Sequence, residues 1–202
     1  MIKLENITVK YGKQTVIDGL SFTFEDNIFY GITGGSGIGK TTLINAIAGL
    51  VPLSKGTINT NSAKIGYIFQ DPRLFPWMTA LENVACVCND KEKAHYYLNL
   101  LLSESDNKYP HELSGGMKQR VSIARALAYE SDIMLLDEPF KGLDEQTKQR
   151  TIQTVLQSLK NKTAILISHD KAELSLCNKI FQIQKSPVRV LEEVKTDTYL
   201  SE

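Results

Sequence analysis

Only three cysteines occur among the 202 residues, Cys86, Cys88 and Cys177. An odd number without framework spacing excludes a disulfide scaffold and fits a reducing cytosol. Cys86 and Cys88 stand one residue apart, too close for a zinc CxxC pair and with no second half, so all three read as small packing residues. Net charge is missing too, with 23 Lys and Arg offsetting 23 Asp and Glu. A neutral chain carries no broad field to hold a phosphate backbone, so nucleic acid is not expected as a partner. No run of 18 apolar residues is present, which argues against a membrane-spanning helix, and the start, MIKLENITVKYGK, lacks the apolar core of a signal peptide. Repeats and low-complexity linkers are also absent. What remains is 42% apolar, 23% charged and 8% aromatic, a composition that excludes disorder, collagen and coiled coil and suits one domain with a sizeable core.

The element order is informative. Residues 2–9 and 20–24 alternate with period two and predict strands of an antiparallel sheet. IFYGIT at 28–33 reads as a short strand ending in glycines, and 41–50 as a helix with Leu43, Ile47 and Leu50 on one face. From about 71 to 112 the pattern turns helical and more polar, with Ala94, Tyr97, Leu98 and Leu101 aligned, which predicts an inserted helical subdomain spanning about 71–120. A helix follows at 115–130 (Met117, Val121, Ala124, Ala128), then the apolar strand IMLLD at 133–137. Next come a helix bearing Ile152, Val155, Leu156 and Leu159, and the strand AILIS at 164–168. Continuous apolar strands interleaved with helices imply a parallel sheet, hence an α/β fold.

Residues 34–42 read GGSGIGKTT and satisfy G-x-x-x-x-G-K-[ST] between a strand and a helix. Polyphosphate must come close to the backbone here. Gly34, Gly35, Gly37 and Gly39 keep side chains away, and the N–H groups from Gly34 through Ser36, Ile38 and Thr42 offer an anion nest at a helix start. Lys40 is expected to reach the β- and γ-phosphates and the Thr41 hydroxyl to sit on Mg²⁺. Asp137 and Glu138 stand at the C-terminal end of IMLLD, where ligands of open α/β sheets bind. Asp137 suits a Mg²⁺-associated carboxylate, and Glu138, taken to point to the other face of the strand, suits the group that polarises an attacking water.

A second glycine pair lies in LSGGMKQR at 113–120. Ser114 alone reads as a helix N-cap, but Gly115 and Gly116 in a first turn cost up to about 1 kcal/mol each relative to alanine. A second anion site at this helix start accounts for them. With GGSGIGKTT, LSGGMKQR and IMLLDEP in that order, the chain resembles the ATP-binding subunits of ABC transporters over nearly its whole length, with Met117 where glutamine is commoner. The resemblance implies a single nucleotide-binding domain over 1–202. Its fold would be a RecA-like P-loop NTPase with a parallel-sheet core, an N-terminal antiparallel β subdomain and the helical insert. It further implies that Tyr11 stacks on adenine, that Gln70 senses Mg²⁺, water and the membrane subunit, that Asp144 is the D-loop aspartate and that His169 contacts the γ-phosphate. Gly142 departs from the small alanine or serine usual before that D-loop leucine. In such proteins two chains meet head to tail, each nucleotide lying between one phosphate loop and the other chain's LSGG. A chain of this length implies a homodimer and no added regulatory domain.

QDPRLFPWMTALENV at 70–84 resembles the corresponding segment of importer subunits for nitrate, sulfonates, taurine and pyrimidine precursors. Its bend of Pro72, Phe75, Pro76 and Trp77 suits a groove for a short helix of a membrane partner. The function implied is ATP hydrolysis, with ATP and Mg²⁺ as cofactors, powering an importer of a small solute. The subunit would be peripheral to the cytoplasmic face of the membrane, with permease subunits and an extracytoplasmic solute-binding protein as partners. The alternative is a soluble ABC ATPase of DNA repair or translation. Those usually carry coiled coils, zinc insertions or a second ATPase domain, which 202 residues do not accommodate. A P-loop kinase or GTPase would leave LSGG unexplained.

Overall fold

A computed structural model of the chain describes residues 1–194. The last residues of the expected domain, 195–202, lie outside the described residues. The strands are β1 (Ile2–Tyr11), β2 (Gln14–Phe24), β3 (Phe29–Gly34), β4 (Lys55–Asn59), β5 (Ile65–Ile68), β6 (Ile133–Asp137), β7 (Thr163–Ile167), β8 (Lys179–Ile183) and β9 (Glu192–Val194). The helices are α1 (Lys40–Ile47), α2 (Ala80–Cys88), α3 (Lys91–Leu101), α4 (Gly115–Ala128), α5 (Glu145–Ser158) and α6 (Lys171–Leu174). They belong to two compact units, one built from Met1–Ile65, Ile133–Asp137 and the chain from Asn161 on, the other from Gly66–Asp132 and Glu138–Lys160.

The first unit holds two sheets. The N-terminal sheet is antiparallel in the order β2-β1-β4. Its first strand is not a simple alternation. Ile2 and Leu4 are buried on even positions, Ile7 and Val9 on odd ones. The register with β2 shifts between Leu4 and Ile7, where Asn6 takes a φ of +50, so a bulge flips the buried phase midway. The other sheet runs β6-β7-β3-β8 in parallel with β9 antiparallel at its edge. Every residue of β6 and β7 is buried, as a strand covered on both faces requires.

Pairing Ile32 with Ile167, and Ile167 with Asp137, brings the ends of β3, β7 and β6 to one edge of the sheet. Helix α1 packs on β1, β2, β3 and β7 through buried Leu43, Ile44 and Ile47. It ends earlier than its periodicity predicts. Gly49 N–H donates to Ala46 and Leu50 N–H to Asn45, a Schellman closure that leaves Leu50 outside the helix and 54% exposed.

In the second unit α2, α3 and α4 pack on one another, and α5 lies against α3 and α4. Their starts are explicit in the sequence. Thr79 and Glu82 form a capping box on α2, and Asp90, Ser114 and Asp144 cap α3, α4 and α5. The stretch 71–79 is not helical, because Pro72 and Pro76 interrupt it and the helix begins at Ala80. Ala94, Leu98 and Leu101 of α3 are buried, as are Val121, Ala124 and Ala128 of α4. Of the cysteines, only Cys177 is a buried packing residue, its thiol pushed up to about 12 by desolvation, while Cys86 is exposed.

Candidate functional site

The phosphate loop follows directly from β3. Gly34 takes a φ of +143, and a Cβ there would stand 2.5 Å from the Ile183 carbonyl oxygen, so no other residue fits. A Cβ on Gly39 would meet Val188 Cγ2 at 2.9 Å and Val16 Cγ1 at 3.0 Å. Val188 is held there by exchanging backbone hydrogen bonds with Val16 and Asp18. Gly35, Ser36 and Gly37 are exposed, and Ile38 is half-buried. The α1 cap at Gly39 has no side-chain acceptor, and the first turn carries no acid. Lys40 is only 6% exposed and arches back, its Nζ donating to the Gly34 and Gly35 carbonyls at 2.7 and 2.9 Å. Thr41 is exposed and Thr42 half-buried in the same turn.

Asp137 is buried at the end of β6, and His169 is exposed just past β7, both at the sheet edge from which the loop departs. Two residues that sequence reasoning missed fix the His169 turn. Ser168 Oγ donates to buried Glu173 Oε2 at 2.6 Å and accepts from the Asp170 N–H at 3.0 Å. Tyr11 ends β1 on the other sheet, 49% exposed.

The second unit gathers the remaining residues. Strand β6 stops at Asp137, so Glu138 does not alternate to the opposite face as expected; it takes a φ of +44 and leaves the strand direction. Gln70 Nε2 donates to Glu138 Oε2 at 3.0 Å. Buried Gln119, also missed, ties this pair together, its Nε2 donating to the Pro139 carbonyl at 2.8 Å and the Phe69 carbonyl at 3.4 Å. A polar residue on the buried face of α4 was its one sequence signal.

Ser114 Oγ accepts from the Met117 N–H at 3.3 Å. The two glycines that follow differ. A Cβ on Gly116 would stand 3.4 Å from the Gly142 carbonyl oxygen, whereas Gly115 is open. Gly142 itself has a φ of +79, which explains a glycine in place of alanine or serine. Asp144 caps α5 by accepting from the Thr147 N–H at 3.0 Å, and that bond holds its carboxyl below the usual carboxylate range.

No cluster of three His, Cys, Asp or Glu able to hold a metal exists among the described residues. Exposed Thr41 and buried Asp137 carry the hard oxygen donors that Mg²⁺ takes alongside phosphate oxygens.

The segment after Gln70 is clamped from below. Asn83, fully buried, donates to the carbonyls of Phe75, Met78 and Thr79 at 3.1, 3.0 and 3.0 Å and accepts from the Phe75 N–H at 2.8 Å. Arg125, whose burial lowers its proton affinity, donates to the Pro72 and Arg73 carbonyls. Phe75 and Trp77 are thereby presented outward, 38% and 68% exposed. Asn83→Ala strips those buried groups of partners and is expected to destabilise the protein by about 1–3 kcal/mol. A urea titration checks this, and an unchanged midpoint would mean the clamp is idle.

A glycine loop that opens a helix, a buried lysine arched over it and a buried carboxylate at the sheet edge define a P-loop ATPase. The family model described as ABC transporter matches residues 17–141, and the chain belongs to that family. It is 39% identical to the aliphatic sulfonates import ATP-binding protein SsuB of Bacillus licheniformis over 92% of this chain and 79% of that protein. It is 37% identical to the taurine import ATP-binding protein TauB of Rhizobium johnstonii, over 98% and 84% of the two. With the nitrate import ATP-binding protein NrtD of a Synechocystis species the identity is 36%, over 92% and 77%. Among solved structures, a dimeric ATP-binding cassette in a post-hydrolysis state with ADP and Pi matches with a TM-score of 0.87 and 29% identity, covering 97% of this chain and 99% of that one. The chain is thus an ATP-hydrolysing cassette of the transporter family, with the expected α/β fold.

Proposed function

We propose that this subunit powers import of a small solute as a head-to-tail homodimer on the cytoplasmic face of the membrane. The observation that carries the reading is the buried Lys40 ammonium over the Gly34–Gly39 loop, a cation and a set of N–H groups converging where a triphosphate fits. Loop N–H groups and Lys40 bind the phosphates, and Tyr11 stacks on the base. Thr41 and Asp137, with Gln70, would hold Mg²⁺, which would supply charge neutralisation on the phosphates. Glu138 takes the proton of the attacking water, Gln70 orients both, and His169 contacts the γ-phosphate. Ser114, Gly115 and Gly116 offer a second helix start, which in the dimer faces the partner's nucleotide, with Asp144 beside the shared interface.

Import is supported by the relatives named for aliphatic sulfonates, taurine and nitrate. The clamped Phe75–Trp77 surface suits a short helix of a permease. No described helix is long and apolar enough to cross a membrane. Attachment would run through that permease, with an extracytoplasmic solute-binding protein delivering the cargo.

The shared site is tested by mixing a Lys40→Ala chain with a Ser114→Arg chain. Each homodimer has two damaged sites, whereas the heterodimer places both lesions in one site and leaves the other intact. One radiolabelled ATP occluded per heterodimer is the expected result. If heterodimers form and occlude no more than the separate mutants, the head-to-tail arrangement is wrong.

A further inference from the structure

Lys141 Nζ lies 2.9 Å from Glu138 Oε2, the same oxygen to which Gln70 Nε2 donates at 3.0 Å. Both lone pairs of that oxygen are therefore occupied by the chain's own donors. The backbone sets this up. Glu138 turns at φ +44 off the end of β6, and the Lys141 N–H donates to the Glu138 carbonyl at 3.2 Å, closing a turn over buried Pro139 and Phe140. Gln119 pins the Pro139 carbonyl at 2.8 Å, so the turn that aims Lys141 at Glu138 is itself fixed. The Glu138 side chain is 22% exposed and that of Lys141 64%, which places the pair at the rim, where water and salt reach it. An oxygen engaged in this way must shed a donor before it can itself accept a hydrogen bond from water.

We propose that Lys141 is a positioning residue that latches Glu138 and holds down the ATPase of the free chain. This inference rests on reading Glu138 as the base. The latch acts on the base and hence on turnover, and leaves ATP affinity alone.

The test measures kcat and KM for MgATP on the full-length chain. Lys141→Met is expected to raise kcat about two- to fivefold at unchanged KM, the range an exposed ion pair accounts for. Lys141→Arg restores the pair and keeps the wild-type kcat. At saturating ATP, added salt screens the pair, so wild-type kcat climbs towards the Lys141→Met value while that variant stays flat. Lys141→Gln repeats the measurement should the methionine variant fold poorly. A kcat at or below wild type in both neutral variants overturns the latch, as does Lys141→Arg matching Lys141→Met. Glu138→Gln separates the two ideas: wild-type turnover there removes the base, whereas an inactive Glu138→Gln beside an unchanged Lys141→Met removes only the latch.

Discussion

Glu138→Gln is expected to bind MgATP and form a lasting dimer while losing at least about 100-fold in turnover, the usual contribution of a general base. The amide has nearly the shape of the carboxylate, and its oxygen still accepts from Gln70 Nε2, now 3.0 Å from Glu138 Oε2. What it loses is the capacity to take a proton. Binding belongs to other groups, the loop N–H set and Lys40, so the ATP-bound state should accumulate. Phosphate release measures the first effect. Gel filtration with ATP measures the second, as a peak at twice the 22.6 kDa mass of the chain. Hydrolysis at the wild-type rate would strike Glu138 from the mechanism.

Lys40→Ala is expected to weaken ATP binding at least about tenfold, since a charge-assisted contact in a partly desolvated site is worth roughly 1.5–3 kcal/mol. The structure adds a second consequence. Lys40 Nζ caps the Gly34 and Gly35 carbonyls at 2.7 and 2.9 Å, so alanine also removes the brace that holds the loop's shape. Titration with a fluorescent ATP analogue reads the loss, and unchanged affinity would remove Lys40 from the site.

The phosphate loop was legible because all its parts are contiguous: strand, glycines, lysine and helix within a dozen residues or so of chain. The cap at Ser114 was legible for the same local reason. Periodicity fails where phase changes or contacts are distant. The bulge at Asn6 moves the buried face of β1 from even to odd positions, which alternation alone does not foresee. Strand β4 is almost wholly exposed and shows no apolar pattern at all. Gln119 acts on Phe69, fifty residues away in sequence, and the turn that joins Lys141 to Glu138 depends on a backbone angle that strand geometry would not assign.

The hydrogen bonds beneath the exposed Phe75–Trp77 segment close on main-chain atoms, while the Arg125 guanidinium also lies 5.9 Å from the centre of the Phe75 ring. Gln119 holds the carbonyl of Phe69, Arg125 those of Pro72 and Arg73, and Asn83 those of Phe75, Met78 and Thr79. A carbonyl is the same whatever side chain follows it. Outward-facing residues in this stretch can therefore be exchanged without breaking those main-chain hydrogen bonds. Duplicated copies of such a gene could diverge towards new assemblies through a few surface codons while inheriting an unaltered engine. Grafting Phe75, Pro76 and Trp77 from one paralogue onto another is accordingly a small edit rather than a redesign.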